Sequence, residues 1–405
     1  MKRFSIRETI RNVSKKLHEK NVFRKIGITY QVFWNLFLIG LLISCMVIFF
    51  IGGTALGYFA SLVVDESLHS EEEMRAKIFD YEETSRVYFA NNVYLGTLPS
   101  EIEREKVELH EISPHLINAI IATEDEYFYE HGGIVPKAIF RATFQEFSNA
   151  DVQTGGSTLT QQLIKNQMLT SEVSFDRKAT EILLAMRLEK FLDKDEILEA
   201  YLNIVPFGRN SSGRQIAGAQ AAAKGIFGVD AKDLTLAQAA YIAGLPQSPF
   251  RYTPFNSDGS VKENIEPSLQ RMKTVLSRMY DAGFITKEQL EEALAYDVRA
   301  NLTKGESTPV EKYPYLTYEI MRRATDVLLE QKIKEQNINL EEMDEEQRLA
   351  TINKLRDEAA HELRSNGYHI HTTIDKDIYI AMQEAVKTDH LFGPVKDGEQ
   401  EEIGA

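Results

Sequence analysis

Residues 123–133 read Thr123-Glu124-Asp125-Glu126-Tyr127-Phe128-Tyr129-Glu130-His131-Gly132-Gly133. Just before them, Ser113-Pro114 supplies a cap and a proline at the first helical position. Ile117, Ile120, Ile121 and Glu124 then recur at helical spacing. This pattern predicts an amphipathic helix whose apolar stripe ends in a carboxylate. A carboxylate on a face meant for burial is costly unless it is paired or used. Partial shelter also strengthens it as a base.

A second carboxylate follows the same logic. Arg177-Lys178-Ala179-Thr180-Glu181 opens a further predicted helix, with Asp176 as the expected cap. Glu181, Leu184, Ala185 and Leu188 share one face. An ordinary ion pair with Arg177 is the alternative, structural reading of Glu181. Between the two carboxylates lies Gly155-Gly156-Ser157-Thr158-Leu159-Thr160-Gln161-Gln162-Leu163-Ile164-Lys165-Asn166. Its glycines allow close backbone approach, and a helix opening there offers free N–H groups. Thr158, Gln162 and Lys165 fall in one line, a face suited to a sugar bound to a phosphate, or to plain solvation. The Gly-Lys-Ser/Thr element of a P-loop is missing. His131-Gly132-Gly133 reads as a turn, in which His131 is either structural or part of a site. Phe140, Phe144 and Phe147 form a stripe that is either core or a lipid-facing surface.

Helices are further predicted over 157–169, 177–191, 194–204, 216–224 and 236–244, with a helical stretch over 267–295 broken by a turn at Asp281-Ala282-Gly283 and a long charged helical region over 315–363. Arg86 to Leu98 alternates around Asn91-Asn92, the pattern of a β-hairpin, and His369 to Ile374 reads as a strand. Glu196 to Asn203, leading into Pro206-Phe207-Gly208-Arg209, reads mainly as scaffold, with Asn203 kept among the candidate binding residues.

The chain of 405 residues has ordinary globular composition, 43% hydrophobic and 26% charged. Its net charge of −15 argues against nucleic acid as a partner. Cys45 is the single cysteine, so no internal disulfide can form. From Ile28 to Val64 no charge occurs, and Val32 to Ile51 alone supplies the roughly 20 apolar residues that cross a bilayer. Nine basic and two acidic residues precede this stretch, while acidic residues follow it. The positive flank places the N-terminus in the cytoplasm and the remainder outside. A cleaved signal peptide is the alternative, against which the length of the basic arm counts.

Taken in order, these blocks resemble the glycosyltransferase domain of class A penicillin-binding proteins (glycosyltransferase family 51), the peptidoglycan polymerases. The likeness runs from about Glu111 to Pro254 and includes Leu236-Ala237-Gln238-Ala239-Ala240 through Gly244-Leu245-Pro246-Gln247-Ser248-Pro249. It implies a mainly α, lysozyme-like domain carrying an N-terminal transmembrane helix and a small β-hairpin linker. The implied organisation is a cytoplasmic tail (1–27), a membrane region (28–64), a hairpin linker (65–110) and the core glycosyltransferase domain (111–255). A helical extension (256–365) and a linker leading toward a transpeptidase (366–405) complete it.

The resemblance further implies that Glu124 is the general base and Glu181 its assistant, with lipid II and the growing glycan strand as substrates. Lys165, Arg177 and Lys178 would bear on the pyrophosphates. Ser157, Thr158 and Gln162 would line the sugar-phosphate subsites, and Asp125, Phe128 and His131 would shape the pocket. A divalent cation, Mg²⁺ or Mn²⁺, could organise the pyrophosphate at Glu181; no organic cofactor is expected. Membrane lipid and cell-wall synthesis proteins are the implied partners. The sequence departs from the family at Pro206 and in the polar loop 209–215. No Ser-x-x-Lys, Ser-x-Asn or Lys-Thr-Gly element follows Tyr368–Ala385, so this chain is not expected to crosslink peptides. Two rivals are a lytic glycan-cleaving enzyme of similar fold and an inactive membrane scaffold.

Overall fold

The computed structural model describes residues 6–19, 22–64, 69–137, 156–169, 174–305 and 309–386. They divide into two units, Met1–Ser67 with Val173–Thr180 and Leu68–Glu172 with Glu181–Ala405. Phe140, Phe144, Phe147 and Gly155 lie outside the described residues.

In the first unit one helix runs from Val22 to Leu62, and Ile28–Leu62 is long and apolar enough to cross a membrane. Its large side chains face outward, Phe49 and Phe50 among them. Trp34 stacks on Tyr30 and Phe37, with ring centroids 6.5 and 5.5 Å away. Near residue 175 the expected cap shifts: the Ser174 hydroxyl accepts the Arg177 N–H, and Asp176 falls within the first turn of helix Phe175–Leu188.

The second unit is mostly helical. Helix Pro114–Glu124 packs against Leu236–Ala243 and Glu266–Asp281, while Leu159–Gln167 packs against Lys194–Ile204. The core comprises Ile120, Leu159, Leu163, Leu198 and Tyr201, extended by Val275 and Leu276. Alanines at 219, 222, 239, 240 and 243 are fully buried, which lets the backbones approach closely. Several helices open on reciprocal side-chain caps, Thr158 with Gln161, Asp193 with Glu196 and Thr235 with Gln238.

Two elements differ from the sequence expectation. The helix predicted from 216 begins at Ala219, because Gln215–Ala217 is a strand (β5) paired with Ile102–Glu103 (β3) and Pro206–Arg209 (β4) in the order β3-β5-β4. Gly218 makes the switch at φ +84, where a Cβ would lie 2.8 Å from the Asn203 carbonyl. The charged region 315–363 is two helices, Pro314–Glu335 and Glu345–Ser365, packed on each other and separated near Asn337 at φ 52.

The expected hairpin is present: Arg86–Tyr88 (β1) runs antiparallel to Tyr94–Thr97 (β2), with Asn91 and Asn92 at positive φ between them. His369–His371 (β6) adds to the other side of β1 in parallel. Val87, Phe89, Leu98, Leu316, Ile320 and Leu363 form a separate small core around this sheet. The stretch read as one extension, 256–365, therefore serves two cores. Its helices 266–281 and 287–294 belong with the core of the Glu124 helix, and Leu316, Ile320 and Leu363 of its last two helices belong with the hairpin.

Candidate active site

Glu124 is the last residue of its helix, with its side chain 14% exposed. The Gln162 amide Nε2 donates to Glu124 Oε2 at 3.1 Å. The other end of that amide accepts from the Tyr201 hydroxyl at 3.3 Å. Burial, then the Glu124 and Asp125 carboxylates, push the Tyr201 phenol well above its ordinary value, so it stays a donor. With its oxygen engaged by Tyr201, Gln162 presents its NH₂ to Glu124.

Asp125 leaves the helix and gathers the next turn. Its Oδ2 accepts from the Leu159 N–H and from His131 Nε2, both at 2.9 Å. His131 Nδ1 accepts the Gly133 N–H at 3.1 Å, which leaves its Nε2 to carry the proton. The Thr158 hydroxyl donates to the Gly133 carbonyl at 2.6 Å. Gly133 sits at φ +90, where a Cβ would meet the Ala185 carbonyl at 2.6 Å. Asp125, His131 and Thr158 thus fasten the turn after Glu124 to the start of the glutamine helix. Phe128 is fully buried, with Lys194 Nζ 4.5 Å above its ring, and so acts as a wedge beneath the turn. Lys194 in turn pairs with Glu189, which also accepts from Thr160.

Glu181 is 2% exposed, and Gln161 Nε2 donates to its Oε1 at 3.2 Å. Gln161 and Gln162 are neighbours on one helix, so adjacent side chains hold the two carboxylates. The structure brings Glu124, Asp125, His131, Thr158, Gln162 and Glu181 into one connected network, with Phe128 packed under it. Ser157 is partly exposed just before the helix, and Lys165 is exposed toward its far end. Arg177 and Lys178 belong to the other unit, at the start of the helix that carries Glu181. Asn203 is fully buried; its amide donates to the Val107 and Glu199 carbonyls and accepts the Val107 N–H, which makes it scaffold here.

Four residues of this neighbourhood escaped the sequence reading as site members. Gln161 and Tyr201 had a visible signal, being polar at core positions of predicted helices. Arg271 and Arg278, from helix Glu266–Asp281, had none. Arg271 Nη2 lies 3.4 Å from Glu124 Oε1, and Arg278 Nη1 donates to the Thr123 carbonyl.

Among the described residues no group of three or more His, Cys, Asp or Glu side chains could hold a metal ion. Glu181 supplies a single, deeply buried carboxylate, so these residues alone do not fit a metal centre.

The family model for transglycosylase matches residues 77–280, and the chain belongs to that family. Penicillin-binding protein 1A of Clostridium tetani is 34% identical over 289 residues, covering 70% of this chain and 34% of its own. Penicillin-binding protein 1A of Aquifex aeolicus is 41% identical over 212 residues, 52% of this chain and 27% of its own. Penicillin-binding protein 2a of Streptococcus pneumoniae is 31% identical over 388 residues, 96% of this chain and 45% of its own. The chain thus spans between about a quarter and a half of these relatives' length. A crystal structure of Penicillin-Binding Protein 1A from Haemophilus influenzae aligns with 76% of this chain and 29% of its own. At TM-score 0.38 and 21% identity, that likeness is too loose to bear on the architecture. The matched segment ends at 280 and so takes in most of the helix bearing Arg271 and Arg278.

Proposed function

We propose that this protein is a membrane-anchored peptidoglycan glycosyltransferase that polymerises lipid II into glycan strands. The observation that carries the reading is the pair of sheltered carboxylates, Glu124 and Glu181, held by the adjacent amides of Gln161 and Gln162. Membership of the transglycosylase family supports it.

In this reading Glu124 removes the proton from the 4-hydroxyl of the acceptor GlcNAc. The freed oxygen attacks the anomeric carbon of the MurNAc at the reducing end of the donor strand. The bond to undecaprenyl pyrophosphate breaks on the opposite side, and configuration inverts. General-base help of this kind contributes about 10²–10⁴-fold. Ser157, partly exposed just before the glutamine helix, and the Gln162 amide would line the sugar-phosphate subsite, while Thr158 and the Leu159 N–H at the helix start are already taken by Gly133 and Asp125. Lys165, Arg177 and Lys178 would neutralise the departing pyrophosphate. A divalent cation, if used, would take most of its ligands from the pyrophosphate, with Glu181 its single carboxylate from the protein. The basic arm before Ile28 faces the cytoplasm, so the catalytic unit lies outside, alongside membrane lipid and cell-wall synthesis proteins.

The test is a choice of substrate. Purified protein in detergent should elongate lipid II into strands and release undecaprenyl pyrophosphate, and Glu181→Gln should lower the rate severalfold or more. Shortening of preformed strands, with no growth from lipid II, would instead establish the lytic reading.

A further inference from the structure

The two oxygens of Glu124 have unlike neighbours. Oε2 is fixed by Gln162, which Tyr201 holds from behind. Oε1 faces the guanidinium of Arg271, whose Nη2 is 3.4 Å away. We propose that Arg271 is a positioning residue for the transfer: it keeps the Glu124 carboxylate ionised and leaves Oε1 as the oxygen that receives the acceptor's proton. The proposal rests on Glu124 being the base.

The argument is one of competing electrostatics. Both side chains are nearly closed to water, 10% exposed for Arg271 and 14% for Glu124. Shelter by itself favours the neutral acid, which cannot take a proton, and a cation within about 4–6 Å opposes that. Arg271 meets the mirror problem. Burial pulls its guanidinium below the ordinary value, and the Glu124 carboxylate pushes back. Each charge makes the other tolerable.

The contact is Coulombic rather than locked. At 3.4 Å it exceeds the about 2.7–2.9 Å of a tight charge-assisted hydrogen bond. Arg271 Nε, also buried, has no hydrogen-bond partner among the described residues, so the guanidinium is not clamped in a fork. Oε1 therefore keeps lone pairs for an incoming hydroxyl while Oε2 is occupied. The acceptor O–H bond breaks as the Oε1–H bond forms. The oxygen's electron pair makes the new bond to the anomeric carbon, and the pair of the broken C–O bond leaves with the pyrophosphate.

Among the described residues, Asp125, Glu181 and Arg278 do not replace this cation. Asp125 has the same sign and is engaged by His131 and the Leu159 N–H. Glu181 also has the same sign and meets Gln161. Tyr201 is neutral, and Arg278 is directed to the Thr123 carbonyl. From helix Leu236–Ala243, Tyr241 bonds to Ser268 and brings no positive charge.

The experiment is the pH dependence of kcat/KM for lipid II polymerisation by the full chain in detergent. Wild type, Arg271→Gln, Arg271→Lys and Glu124→Gln are compared. Loss of the cation should weaken Arg271→Gln most at low pH, so the acidic limb of its kcat/KM profile should move up by about one unit. Its deficit should be about tenfold on the acidic side and should shrink as pH rises. Lysine keeps the charge and should keep the limb near the wild-type position. Arg271→Met, apolar and of similar reach, serves if the glutamine variant unfolds. An unmoved limb in the neutral variants, or a lysine limb displaced as far as glutamine's, overturns the proposal. Glu124→Gln separates the two claims. Wild-type polymerisation by it refutes the base itself, whereas an inert Glu124→Gln beside an unmoved Arg271→Gln limb refutes only the role of Arg271.

Discussion

At the scale of single residues, the site depends on polar groups that leave each other few alternatives. Gln162 can serve Glu124 because Tyr201 occupies the amide oxygen. Tyr201→Phe removes that hydroxyl, leaves the amide oxygen without its donor and loosens the hold of Gln162 on the carboxylate. We expect kcat to fall severalfold with KM little changed, and stability to drop by about 1 kcal/mol, read in steady-state kinetics and urea melts. Asp125 is bound from two sides, so Asp125→Ala leaves the Leu159 N–H and His131 without their acceptor. A loss of about 1–3 kcal/mol is expected there, together with most of the activity; a variant as stable as wild type would contradict the network. Glu124 and Glu181 were legible in the sequence because a carboxylate at an apolar helical position is locally anomalous. Arg271 was not, since an arginine in an amphipathic helix is locally ordinary and its partner is 147 residues away.

Among elements, the helices, the 86–98 hairpin and the strand at 369 declared themselves, and the strands of the second sheet did not. Thr158 with Gln161, Asp193 with Glu196 and Thr235 with Gln238 mark helix starts within four residues, information that a sequence window contains. β3, β4 and β5 span two to four residues each, and the pairing of β3 with β5 joins Ile102 to Gln215, positions far apart in the chain. No local pattern specifies such a sheet. The turn that follows the Glu124 helix depends on Gly133, read in the sequence only as part of a turn. Gly133→Ala combines a left-handed backbone with a collision against the Ala185 carbonyl. It should cost about 1–3 kcal/mol and lower the melting temperature by several degrees. Gly132→Ala, with open space at its Cβ, is the control and should be nearly silent.

On the scale of the whole molecule, chain order and spatial order diverge. Helix 266–281 returns to the Glu124 helix, and β6 joins β1 from the opposite end of the chain. The sequence reading kept consecutive segments together because periodicity carries no record of such returns. Stopping the chain at Ser365 removes β6 from the sheet and bares one side of β1. Proteolysis within 86–97 should then accelerate while the melting of the larger core changes little. The anchor gives a separate expectation. Deleting 6–62 should release the protein from membranes, and protease added outside intact spheroplasts should digest everything except the N-terminal arm and the span. Protection of the catalytic unit would reverse the orientation.

The central claim is that Glu124 acts on a proton rather than on affinity. Its most direct test measures lipid II binding and lipid II turnover on one preparation of Glu124→Gln. Glutamine keeps the shape of the side chain and cannot accept the proton, so binding should stay within about threefold of wild type while turnover falls about 10²–10⁴-fold. Turnover that survives, or a loss of binding as large as the loss of turnover, would contradict the account.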